Sequence, residues 1–168
     1  ALQYDPEHKQ CKDIYRIIKK IQTAETKAKK AMASKDYEKA ATYWLSMIAI
    51  DPQHGFYVAP ASIELSCAYR ELKKYTEGKV VLNNVLESNA NYAAAHHMLG
   101  LIALDEESYD EAVGKIKKSL ELDNGNGKYQ DSLKKAEAAL KQSKQRDYYK
   151  ILSEYNAVQY RELVYMVG

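Results

Sequence analysis

The chain has 168 residues, of which 29% are charged and 46% apolar, and its formal net charge is +2. That balance belongs to a globular chain rather than a disordered one, and it gives no whole-molecule electrostatic drive toward nucleic acid. It also contains no run of roughly 18 apolar residues of the kind that crosses a membrane, and its two cysteines, Cys11 and Cys67, form neither a disulfide framework nor a metal-ligand spacing.

Taken in chain order, the opening "ALQYDPEHKQC" has no charged segment leading into an apolar run, as a signal peptide would, and its first six residues end in Asp5-Pro6. Asp5-Pro6 looks like Asp51-Pro52 further on, so this stretch is read as the tail of a preceding repeat, which makes the chain a piece of a longer one. Ile14, Ile17, Ile18 and Ile21 then recur at helical spacing and predict an elongated first helix running to about Ser34. Lys12, Arg16, Lys19, Lys20, Lys27, Lys29 and Lys30 make that helix basic. A solvated face is the plain reading, and an acidic partner the alternative.

A block of the form Tyr-x-x-small residue follows three times: Tyr37 to Ala40, Tyr75 to Gly78 and Tyr109 to Ala112. Each leads into an apolar-periodic stretch, carrying Trp44, Leu82 and Ile116 respectively, and each is preceded by turn-forming residues such as Ser34-Lys35-Asp36. Gly78 and Ala112 are 34 residues apart, whereas Ala40 and Gly78 are 38 apart, which implies a four-residue insertion in the second unit. After the helix stop "DNGNG", Leu133, Ala136 and Leu140 form the apolar stripe of a last amphipathic helix.

A 34-residue period with small residues at fixed places is similar to the tetratricopeptide repeat. Ala28, Ala40, Trp44 and Pro52 match its pattern in repeat one, Ser66, Gly78 and Leu82 in repeat two, and Gly100, Ala112 and Ile116 in repeat three. Small residues let paired helices approach closely, and about three stacked pairs form a minimal stable array. The expected fold is an all-α right-handed superhelix of three helix pairs, with an elongated first helix and a C-terminal capping helix. Its segments are repeat one at 7–54, repeat two at 55–92, repeat three at 93–126 and the capping helix or linker at 127–145.

The entry "DPEHKQCKDIYRIIKKI" and the exit "LKKAEAALKQSKQRDYYKIL" together resemble the tetratricopeptide J proteins of the endoplasmic reticulum. Arg146 to Leu152 resembles the first turn of a J domain, while residues 153–168 do not resemble one. No His here precedes Pro, so the His-Pro-Asp trigger of a J domain is absent from this chain. The resemblance implies a co-chaperone scaffold in the endoplasmic reticulum lumen, which captures unfolded client polypeptides for the seventy-kilodalton chaperone BiP. It also implies a possible stress-kinase partner. A cytosolic repeat-plus-J relative shares the exit motif, and a spacer or an adaptor for one folded partner is the other reading.

Arrays of this kind bind peptides on the concave face. One class grips C-terminal carboxylates with Lys, Asn and Arg, but the corresponding places here hold Glu25, Lys29, Glu64, Ala94 and Met98. With a single base among them, a carboxylate would meet repulsion, and this clamp is not expected. The candidate groove is instead partly apolar: Met32, Ile63, Cys67, His97, Met98, Leu101 and Leu104. Met suits promiscuous contacts, although the same residues equally suit a core covered by the last helix. His96 and His97 are neighbours on a helix and point about 100° apart, which disfavours a shared metal. With no nucleophile–base pair and no phosphate-cradling loop, no enzyme and no cofactor are expected.

Overall fold

The computed structural model describes residues 6–52 and 54–167, with the side chains of residues 10–52, 54–156 and 158. The repeat tail expected at residues 1–6 lies outside them but for Pro6, which opens the first helix. Among the described residues seven helices follow one another: α1 Pro6–Ala33, α2 Tyr37–Ile48, α3 Gly55–Glu71, α4 Tyr75–Ser88, α5 Ala93–Asp105, α6 Tyr109–Leu122 and α7 Gly127–Val167. Each packs on the next, and in addition α3 lies against α5 and α5 against α7. This is a tetratricopeptide array of three helix pairs closed by α7.

The turn inside each pair is built the same way three times. Lys35, Lys73 and Glu107 adopt left-handed backbone conformations with φ of 60°, 58° and 60°. The next amide in each case reaches five residues back, from Asp36 to Ala31 O (2.9 Å), Lys74 to Tyr69 O (2.8 Å) and Ser108 to Ala103 O (2.9 Å). These are Schellman caps, which satisfy orphan carbonyls at a helix end and normally place Gly at the left-handed position. A Lys or Glu there costs about 1 kcal/mol of backbone strain, three times over.

The small residues sit where pairs approach. Ala28, Ala40, Ser66 and Ala112 are fully buried. A Cβ added at Gly100 would come within 2.5 Å of Ile116 Cγ1, and one at Gly78 within 3.2 Å of Ile102 Cδ1. Ser66 Oγ donates toward the carbonyls of Ser62 (2.8 Å) and Gly78 (3.2 Å), tying α3 to α4 without leaving a buried hydroxyl unpaired. Trp44, Leu82 and Ile116 fill the space between pairs. The core divides along the chain into three successive clusters, around Trp44 and Leu65, around Leu82 and Ile102, and around Ala112 and Ile116. Such nearest-neighbour burial is the energetic signature of a solenoid.

Two elements depart from the regular unit. α1 has 28 residues, and its first half extends well beyond the helix it pairs with. α3 has 17 residues against 13 in the corresponding α5, so the four-residue insertion appears largely as one extra helical turn at its start. Pro52 does not end α2 directly: the helix stops at Ile48, and Pro52 lies exposed in the connection to α3. The segments 127–145, 146–152 and 153–168 distinguished in sequence run as one helix to Val167. Its buried contacts come from the first half, where Ala136 is fully buried and Leu133 and Leu140 pack beside it on the third cluster. Beyond, Tyr148, Tyr149, Ile151, Leu152 and Tyr155 are all exposed.

Candidate peptide-binding groove

The seven residues expected to line one groove divide between an open region and a closed one. His97 is 4% exposed and Met98 8%. The first turns of α7 cover this part of α5: His97 Nε2 lies 2.9 Å from Ser132 Oγ, and its ring lies tilted against Tyr129 with centroids 4.4 Å apart. Burial, with the nearby charges of Lys128 and Arg70, lowers the His97 pKa to about 4, so the imidazole is neutral at physiological pH. Met98 belongs to the second core cluster, with Ile63, Cys67 and Leu101 partly buried against it. Leu104 is partly buried in the third cluster and Met32 in the first. Burial also raises the Cys67 thiol pKa, and both Cys67 and the exposed Cys11 are free. Of the seven, Ile63 alone lines the open concavity described next.

That concavity lies between α1 and α3, with a volume of about 980 Å³. One wall is the extension of α1, from which Ile14, Ile17 and Ile18 project. Ile17 is 44% exposed and Ile18 46%. The other wall is the extra turn of α3, where Phe56 is 87% exposed and Tyr57 half-buried. Trp44 and Met47 of α2 form part of the lining, and Tyr92 and Ala94 close the end nearest α5. Tyr57 Oη donates to Asp51 O (2.9 Å), which pins the extra turn to the α2–α3 connection. Pro60, inside α3, cannot donate the amide hydrogen bond that would fall on the Phe56 carbonyl, so the first turn of α3 is tied to the rest less firmly.

The charges around this cavity are few and unbalanced. Glu25, Asp51 and Glu64 line it, against the single ammonium of Lys29. Lys29 Nζ donates to Glu25 Oε1 at 2.6 Å, and its pKa is raised by that bond and by the fields of Glu25 and Glu64. The one base at the places a carboxylate clamp would use is therefore already engaged. The opposite side of α1 is basic, where Arg16, Lys19, Lys20 and Lys27 border a second concavity with Tyr43. Among the described residues no group of three His, Cys, Asp or Glu is placed to hold a metal.

Sequence reasoning registered both sources of the groove, the isoleucine spacing and the four-residue insertion, without joining them. Phe56 escaped it, because an insertion has no place in the repeat template from which the groove residues were taken. An aromatic residue in the inserted turn was the available signal.

No protein-family model matches the chain. Curated relatives include DnaJ homolog subfamily C member 7 homolog of Dictyostelium discoideum, 26% identical over 90% of this chain and 28% of its own length. DnaJ homolog subfamily C member 3 of Homo sapiens is 26% identical over 98% of this chain and 32% of its own. DnaJ protein P58IPK homolog of Arabidopsis thaliana is 31% identical over 90% of this chain and 31% of its own. The chain thus spans about a third of the length of these relatives. Among solved structures, the P58(IPK) TPR domain superposes with a TM-score of 0.69 at 24% identity, covering 84% of this chain and 40% of that one. The first TPR of Spaghetti (RPAP3) bound to an HSP90 peptide superposes at 0.62 with 22% identity, over 73% of this chain and 94% of that one. With a regular three-pair array, an open groove at one end and this set of relatives, the chain is a tetratricopeptide-repeat array similar to about a third of the length of DnaJ subfamily C proteins.

Proposed function

We propose that this array is a non-catalytic interaction scaffold of a J-protein co-chaperone, which captures or positions unfolded polypeptides for a seventy-kilodalton, BiP-like heat-shock chaperone. The observation that carries the reading is the open apolar groove between α1 and α3, where Ile17, Ile18 and Phe56 are exposed to water. Exposed apolar surface of this kind on a folded chain marks an interaction site. Delivery to the chaperone would require a J domain that this chain does not contain. The endoplasmic reticulum lumen is the compartment the resemblance favours, and resemblance to a cytosolic repeat-plus-J relative makes the cytoplasm the alternative.

The reading is tested by polarisation titration with a permanently unfolded, apolar-rich polypeptide and with a chaperone C-terminal peptide ending in paired carboxylates. Binding of the first, weakened by Ile18→Asp, supports it. Tight binding of the second would overturn the charge argument, since Lys29 is engaged by Glu25 and flanked by Glu64. Binding of neither would leave these repeats as a spacer, or as an adaptor for one folded partner such as a kinase domain.

A further inference from the structure

The two walls of the groove are the two places where the chain departs from the 34-residue repeat. Residues at the start of α1 and the extra turn of α3 contribute nothing to the small-residue contacts between helix pairs. Removing Ile14, Ile17, Ile18 and Phe56 from the molecule would leave all three core clusters intact. Their shared feature is that they face one another across a cavity of about 980 Å³, at the upper end of the range that holds a drug-sized ligand. The electrostatics of the same cavity run against those of the whole chain. The protein carries +2, yet the groove presents Glu64 beside a Glu25–Lys29 pair. Arg16, Lys19, Lys20 and Lys27 of α1 border the other concavity instead.

We propose that the groove takes a polypeptide segment whose large apolar side chains are flanked by Lys or Arg, held between the α1 extension and the extra turn of α3. This rests on the reading of the array as a polypeptide-binding scaffold and specifies which segments it selects. Apolar side chains fill the space between Ile17, Ile18 and Phe56, so that area burial supplies the affinity. The flanking cations meet Glu64 at the rim, beside the Glu25–Lys29 pair, and a segment flanked by carboxylates is rejected by the same carboxylate. Selection acts through the charges and retention through the isoleucines, so the two are separable by mutation.

The experiment uses the full chain and two labelled synthetic peptides of equal length and equal Leu and Phe content, one flanked by Lys and the other by Glu. Trp44, the only tryptophan in the chain, lines the groove and reports occupancy through its own fluorescence. The Lys-flanked peptide is expected to bind about tenfold tighter at low salt, a difference of about 1.4 kcal/mol. The preference should fade at high ionic strength. Glu64→Lys should flatten the preference, and Ile17→Asp should weaken both peptides while leaving the melting temperature unchanged. Equal affinity, or a preference for the Glu-flanked peptide, overturns the proposal and leaves the scaffold reading standing. Binding insensitive to Ile17→Asp and silent at Trp44 overturns it too, since the site would lie elsewhere. A self-association seen in sedimentation and abolished by Ile17→Asp would assign the groove to a second copy of the chain, and likewise overturn it. Failure of both peptides to bind removes the scaffold reading as well.

Discussion

Both ends of this array carry a helix longer than its repeat requires, and the two have opposite fates. α7 lays Tyr129, Ser132 and Ala136 onto α5 and α6, so that end of the inner face is core. α1 extends past its partner, and among the described residues Ile14, Ile17 and Ile18 face the wall of α3 across the cavity. The same amphipathic spacing therefore produces a cap in one case and an open groove in the other. What decides is whether a neighbouring helix lies within reach, which is a property of the stacking order and not of the helix.

The comparison predicts unequal sensitivity to charge. Ala136→Asp would bury an unpaired carboxylate between α6 and α7 and should cost about 3–5 kcal/mol, visible as a large fall in the melting temperature. Acid should act at the closed end through His97. His97 has a folded pKa near 4 against an ordinary value of 6.5, so the unfolded chain binds its proton first. Stability from this site is complete above about pH 6.5 and falls as the pH drops toward 4, by about 2 kcal/mol at pH 5. Lys128 and Arg70, which face the imidazole, add to its resistance to protonation. Chemical denaturation at several pH values should show a shallower acid loss in His97→Gln than in the parent; parallel curves would remove His97 as the cause.

Gly100→Ala sharpens the comparison in the middle of the array. The new methyl would meet Ile116, which is fully buried, and overpacking of about 1–3 kcal/mol should outweigh the helix-propensity gain of about 1 kcal/mol. Glu107→Gly, at a left-handed position, should instead stabilise by about 0.5–1 kcal/mol in equilibrium denaturation. Smallest of all, Ile17→Asp at the open end should change stability by less than about 0.5 kcal/mol. A larger loss would mean that the α1 extension is packed in solution.

How much of this was legible in sequence follows the range of the interactions involved. Ala28, Gly78, Gly100 and Ala112 report a helix–helix distance set within one pair, and their spacing was enough to identify the array. The stripe of Leu133, Ala136 and Leu140 likewise announced a capping helix. The groove required knowing which helix covers which. His97, Met98, Leu101 and Leu104 hold groove places in the repeat template, yet α7 occupies the space in front of His97 and leaves that region to the core. Ile14, Ile17 and Ile18 were visible as a helical stripe, and only the placement of α3 opposite them gives the stripe a cavity to line.

The extra turn of α3 also bears on how such an array can change over time. Four residues added at the start of a helix extend it by about 6 Å along its own axis and leave every later residue in its former register. Ser66 still meets the Gly78 carbonyl (3.2 Å), and Arg70 Nη2 still reaches Asp105 Oδ1 on α5 (2.9 Å). The same four residues placed after Ser66 would shift Arg70 away from its partner and disturb the next pair. The start of an inner-face helix is thus a position where a solenoid can gain or lose a binding wall in a single step, with the rest of its stack unaffected.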